Sequence, residues 1–239
     1  MRHSFQGRAV CALTLLLALG LVFTASGQKK RTKRMNDAGR HASAAARVFT
    51  EIMNTRDKAI PRELLDKAEA IAVFPGVVKA AFIIGGRGGQ GVISRRIPGG
   101  WSAPAFFNIG GGSFGLQIGA QKTDYVLLIM NEEGIKGLME DKFEMGGEAS
   151  VAAGPVGREA AASTNATLDA GILSYSRSKG LFAGVALKGA VINPDNDLNE
   201  AVYEGKKASE VLDAEHSMKE MPAVVRIFPR TLVRYSVRR

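Results

Sequence analysis

The sequence predicts an α+β domain: a strongly bent, glycine-rich, mainly antiparallel sheet that approaches a barrel, with helices at the N-terminal end and flanking it. Three observations predict this. Twelve of the 28 glycines fall between Gly85 and Gly119, interleaved with Val92, Ile93, Trp101, Phe106, Phe107, Phe114 and Ile118. A linker would lack those β-formers, whereas glycine inside strands marks bulges, bends and close backbone approach. Short β-rich runs then follow one another with few helical stretches between them, and the helical patterns gather at the ends.

Residues 36–56 read as a helix that Asn36 or Asp37 can cap. Ala38, Ala42, Ala45, Phe49, Ile52 and Met53 fall on one face, with Arg40, Ser43, Arg47 and Asn54 on the other. A second helix starts at Pro61 and runs to about Ala70, and Pro75-Gly76 then breaks the chain. Strands are expected over 78–84, 91–96, 101–109, 113–120 and 124–130, with a turn at Pro98-Gly99-Gly100. Asn131 caps a short helix ending at Met139. Further strands cover 144–153, 166–176 and 180–192, and Asn193–Asp197 is a turn. Residues 198–203 and 207–212 look helical. From Pro222 onward the arginines at 226, 230, 234 and 238 have helical spacing, but Pro229 and the Val/Ile/Phe content favour an extended segment.

Residues 1–27 read as a signal peptide: Arg2 and Arg8 precede the apolar run Ala9–Phe23, which is short for a membrane span, and Ala25-Ser26-Gly27 suits a cut before Gln28. The same residues also suit an uncleaved anchor. Cys11 is the only cysteine and lies inside this segment, so the remaining chain can form no disulfide or thiolate metal site. A basic linker over 28–36, one domain over 37–212 and a basic tail over 213–239 complete the expected organisation. The formal charge of +9 is concentrated at the ends: +5 over residues 28–40 and +5 over 221–239, against −3 for 41–220. Basic arms on a near-neutral body suit an anionic surface, phospholipid before nucleic acid, and no nucleic-acid partner is expected. The bland reading of Lys29–Arg34 is solubility and topogenic charge beside an export signal.

Enzymatic motifs fail on context. Gly86-Arg87-Gly88-Gly89-Gln90-Gly91 fits G-x-G-x-x-G, but Val92-Ile93-Ser94 follows where dinucleotide binding requires a helix. A glycine-rich hairpin loop presenting Arg87 is the expected alternative. Gly111–Gly115 fits G-x-S-x-G, but strand-like Leu116–Gly119 replaces the helix a nucleophile elbow needs. His41 and His216 belong to separate predicted helices and form no metal motif. Glu132-Glu133 suits a helix start better than an acid/base pair. Asn165-Ala166-Thr167 is a glycosylation sequon by pattern alone. Most aromatics read as core, while Trp101, close to Arg95 and Arg96, also suits a membrane interface.

Five blocks occur in order: FIIGGRGGQG at 82–91, GWSAP at 100–104, FGLQIG at 114–119, SVAAGPVGR at 150–158 and YSRSKGLFAGVAL at 175–187. Together they closely resemble the SYLF (Ysc84-type) domain over residues 59–207, in a bacterial exported form. The resemblance implies binding of phosphoinositides or other anionic lipids, no enzymatic activity, no cofactor and, in eukaryotic members, actin association. In those members the membrane contact is attributed largely to a basic amphipathic helix at the N-terminus of the domain, which corresponds by position to Asp37–Arg56 here.

The expected function is therefore non-enzymatic adhesion of an exported, periplasmic or secreted, peripherally membrane-associated protein to an anionic lipid surface. The alternative is a periplasmic scaffold or protein-interaction module with incidental lipid contact and an unidentified protein partner. The expected lipid-contacting residues are Lys29, Lys30, Arg31, Lys33, Arg34, Arg40 and Arg47, with Phe49, Ile52 and Met53 inserting if their helix is not sealed against the core. Arg87, Arg95, Arg96, Trp101, Arg177 and Lys179 form a second candidate surface, for which solvation of strand edges is the structural alternative.

Overall fold

A computed structural model of the chain describes residues 28, 30–55, 59–81, 84–114, 119–147, 149–157, 170–214 and 218–236. The expected signal segment, Lys29, the sequon and His216 lie outside these residues.

The first helix, α1, is continuous over residues 30–53. Its apolar positions recur every three or four residues, and Ala38, Ala42, Ala45, Phe49 and Ile52 are all fully buried. Asn36 and Asp37 do not cap it. Lysine and arginine are good helix formers, so the helix is already established before them, and the expected basic linker is helical over 30–36. The next helix, α2 (Arg62–Lys67), uses Pro61 as its N-cap and ends before Ala70, where strand begins.

The sheet contains β1 (Ala70–Ala81), β2 (Ile84–Ile97), β3 (Gly100–Trp101), β4 (Ala105–Phe114), β5 (Gly119–Ile129), β6 (Phe143–Glu144), β7 (Val151–Ala153), β8 (Ile172–Ser178), β9 (Leu181–Gly184) and β10 (Val191–Pro194). The spatial order is β6-β10-β4-β2-β1-β5-β8-β7, with β3 on β2 and β9 on β8. All pairings between these strands are antiparallel except β7 with β8. The sheet curls strongly into a half-barrel with helices at the N-terminal end and flanking it, as the glycine content predicts.

Pro75-Gly76 is a bulge rather than a break. Val73 pairs with Val92 and Val78 with Gly88, so β1 carries one extra residue against β2; the same shift occurs against β5 between Phe74 and Val77. Gly76 adopts φ +58, and its N–H donates to Asp124 Oδ1 at 2.7 Å. A bulge bends its strand and increases local twist, which helps curl the sheet. The expected glycine loop at 86–91 is also strand: β2 pairs through it with both β1 and β4. Glycine is required at Gly89 and Gly91, where the neighbours crowd in, whereas Gly86 and Gly88 have room. A Cβ on Gly91 would lie 2.3 Å from the Val73 carbonyl oxygen.

Ile71 to Phe74 and Val126 to Ile129 are all fully buried, so the central strands are covered on both faces. Helix α3 (Glu132–Leu138) packs on β10, and Asn131 caps it by accepting from the Gly134 N–H at 2.9 Å. Helices α4 (Asn196–Val202) and α5 (Ala208–Asp213) pack on β4. The C-terminal segment, expected as an extended tail, forms a short 3-10 turn (Ala223–Val225) and helix α6 (Ile227–Tyr235). Pro229 is accommodated because it lies in the first turn, where backbone N–H groups lack helical partners anyway. Phe228, Pro229 and Leu232 are buried, which joins this segment to the core.

Candidate functional site

Helix α1 positions the first group of cations. Lys33, Arg40 and Arg47 follow one another at seven-residue spacing and are exposed, on the side away from the buried alanine and phenylalanine row. Lys30 and Arg31 are also exposed, and Arg34 is half-buried. Arg40 donates to Asp37 at 2.5 Å, and Arg31 lies 3.6 Å from Glu204; pairs this exposed hold little energy. Lys30, Arg31 and Arg34 line one wall of a groove whose other wall carries Asp197, Glu200 and Glu204.

The apolar face of α1 is sealed. Phe49 and Ile52 are fully buried, and Met53 packs against the core, so shallow insertion by these three residues is overturned. The aliphatic row that makes this helix amphipathic is spent on the fold.

The second expected surface is not assembled. Arg95 pairs with Glu132 at 2.8 Å and with Asp213, linking β2 to α3 and α5. Burial works against its charge, but the hydrogen bonds and charges of both acids prevail, and its pKa stands above the ordinary arginine value. Arg177 behaves likewise: burial opposes its charge, while Asp124 and Glu51 outweigh it. It bonds Asp124 at 2.7 and 3.0 Å and also pairs with Glu51 of α1. Arg95 is in register with Ala70, Ile129 and Ile172, so Arg177 lies three strands away and five residues further along.

Arg96 donates to the carbonyls of Ala68 at 3.0 Å and Leu65 at 2.8 Å, and its guanidinium lies over the Trp101 ring. Trp101 itself is 2% exposed and donates its indole N–H to Ser236 at 3.2 Å. Its placement at a membrane interface is overturned, because the C-terminal helix covers it. Arg87 lies within β2, half-buried, with Nε 3.7 Å from where a Cβ on Gly111 would lie and without a hydrogen-bond partner. Lys179 is exposed in the β8–β9 turn, at φ 48.

The sequence reading missed α6. Arg230 and Arg234 are exposed on it, alongside Ile227 and Val233, and Val224 is exposed just before it. The four-residue spacing of the arginines was the available signal, and the presence of Pro229 obscured it. Helix α6 runs beside α1 in the same direction. A Cβ on Gly39 would lie 3.3 Å from Val224 Cβ, while further along the Tyr235 ring meets Phe49 at 6.0 Å and its hydroxyl donates to Asn54 Oδ1 at 3.1 Å.

The arrangement is therefore a cationic pair of helices laid on a half-barrel. Among the described residues, no helix is long and apolar enough to cross a membrane, and no group of three or more His, Cys, Asp or Glu side chains could hold a metal ion.

Comparison with known proteins identifies relatives of this chain. The model of the Ysc84 family, described as Las17-binding protein actin regulator, matches residues 110–234, from within β4 to within α6. LAS seventeen-binding protein 3 of Saccharomyces cerevisiae is 36% identical over 176 residues, covering 72% of this chain and 38% of that protein. SH3 domain-containing YSC84-like protein 1 of Xenopus laevis is 34% identical over 173 residues, covering 71% of this chain and 51% of that protein. Protein YSC84 of Saccharomyces cerevisiae is 39% identical over 151 residues, covering 62% of this chain and 32% of that protein. The chain thus spans about a third to a half of these relatives. With its family match extending over half the chain, this protein belongs to the Ysc84 (SYLF) family.

Proposed function

We propose that this protein is a non-enzymatic module that adheres peripherally to anionic phospholipid or phosphoinositide surfaces. One observation carries the reading: Lys33, Arg40 and Arg47 line the exposed side of α1 while its apolar side is closed against the core. Adhesion through α1 is then electrostatic. Each Lys or Arg near an anionic leaflet contributes roughly 1 kcal/mol, so this row with Lys30 and Arg31 supplies about 4 to 5 kcal/mol, weakened by salt. Co-sedimentation of the full chain with vesicles tests it. Pelleting with phosphatidylserine-containing vesicles should fall as salt rises, and phosphatidylcholine vesicles should leave the protein in the supernatant. Equal, negligible pelleting with both at low salt would remove the proposal. Charge reversal at Lys33, Arg40 and Arg47 should lower binding without shifting the melting temperature.

Export to the periplasm or the cell exterior completes the proposal, supported by the basic, apolar and small-residue pattern of residues 1–27. Mass spectrometry of the protein purified from its native cells should then find Gln28 at the N-terminus.

A protein-interaction role is the second reading. The family description, Las17-binding protein actin regulator, favours it. An acidic filament or adaptor would meet the same cations. Co-sedimentation with filamentous actin, without lipid, separates the two readings.

A further inference from the structure

We infer that α6, rather than α1, is the element that enters the bilayer interface, with Ile227, Val224 and Val233 reaching below the headgroups and Arg230 and Arg234 holding phosphates. The inference rests on the membrane-binding reading above and assigns its apolar contact.

Among the described residues, five large aliphatic side chains are exposed, and three of them lie between 224 and 233. Val224 is 41% exposed, Ile227 46% and Val233 37%. On α6, Phe228, Pro229 and Leu232 take the inward side, so Ile227, Arg230, Val233 and Arg234 share the outward one at three- and four-residue spacing. Single exposed aliphatics are ordinary on a folded surface, but three clustered within ten residues among arginines mark a contact site. A helix lying in an interface needs this mixture: aliphatics for the acyl boundary, and guanidinium groups on flexible stems for the phosphates.

The charge selects an anionic occupant. Residues 221–239 contain five arginines and no acid. Arg226 is held by the carbonyls of Met221 at 2.8 Å and Lys219 at 2.7 Å, and it anchors the turn before α6. Among the described residues, no salt bridge engages Arg230 or Arg234. The patch also adjoins the cations of α1. Gly39 abuts Val224, and Arg40 follows Gly39 by one residue, so the two exposed rows flank one seam.

The test uses the full chain with phosphatidylcholine vesicles, with and without phosphatidylserine. Ile227→Glu and the double variant Arg230→Glu/Arg234→Glu should each weaken binding to the anionic vesicles at least about tenfold. An Ile227→Trp variant supplies a readout independent of those substitutions. Its added emission should shift to the blue on anionic vesicles and be quenched by lipids brominated on their acyl chains, while the buried Trp101 supplies a constant background. If the wild type binds but both charge variants bind equally well and the added tryptophan is not quenched, this inference falls and α1 adhesion stands. If the wild type binds no anionic vesicle, both fall. If Ile227→Glu fails to fold, the quenching of Ile227→Trp decides alone.

Discussion

Gly91 and Phe74 occupy one site on adjacent strands: a Cβ on Gly91 would lie 2.5 Å from the Phe74 ring. The bulge at Pro75-Gly76 presses β1 onto β2 at this point, and only hydrogen at position 91 leaves room. Gly91→Ala should therefore cost about 3 kcal/mol through overpacking, read as a lower denaturant midpoint at unchanged slope. Gly112 lies on the neighbouring β4 with no atom within 4 Å of the same position. Gly112→Ala should change stability by less than about 1 kcal/mol. Equal midpoints for the two variants would refute the close-approach account.

Asn199 behaves as a strand partner made of one side chain. Its Oδ1 accepts from the Phe106 N–H at 2.8 Å, and its Nδ2 donates to the Phe106 carbonyl at 3.0 Å. The residue is fully buried within α4, so water cannot replace either bond. Asn199→Ala should destabilise by about 2 kcal/mol, since the buried Phe106 N–H loses its partner while the Phe106 carbonyl keeps the Asp195 N–H at 2.9 Å. Asn199→Asp keeps the acceptor and loses the donor, and at neutral pH it should be no better than alanine. A thermal melt of the two variants distinguishes this account from simple packing.

Arg96 should be sensitive to a charge-conserving change. Its planar head satisfies two carbonyls and covers the buried indole of Trp101. Lysine cannot do all three, so Arg96→Lys should cost about 2 kcal/mol. The loss should be accompanied by a red shift of the tryptophan emission, because the indole becomes partly wet. Unchanged emission together with unchanged stability would sink this assignment.

His41 makes stability depend on pH. Burial lowers its pKa, Arg40 beside it lowers it further, and Asp37 and Asp195 oppose the shift without cancelling it. The Phe106 ring packs edge-on against the imidazole, with centroids 6.5 Å apart. The fold therefore favours the neutral ring. The unfolded chain takes up its proton first as pH drops past about 6.5, so this contribution is complete above that value and is lost on acidification. Replacing His41 with Gln should flatten the stability profile between about pH 7 and 5 relative to the wild type. Parallel profiles would remove His41 from the explanation.

The bent, glycine-rich character of the sheet, the Asn131 cap and the apolar face of α1 were legible because each rests on local chemistry: close approach, capping and periodicity; that 86–91 is strand and not loop was not. The fate of the arginines was not. Arg87, Arg95, Arg96 and Arg177 look alike in the sequence, yet acids distant in sequence, Asp124, Glu51, Glu132 and Asp213, decide that Arg95 and Arg177 are structural. No local pattern records such pairings. Pro229 misled for a different reason. Proline is incompatible with a helix interior but harmless in a first turn, and the start of α6 is fixed by Phe228 and Leu232 entering the core.

Among the described residues, the two margins of the half-barrel are short. One ends in β6, with two residues, and the other divides between β7, with three, and β9, with four. Few consecutive amide and carbonyl groups are offered to a neighbouring copy, which discourages edge-to-edge polymerisation. Copies at high local density would then remain separate particles, without templating a fibre.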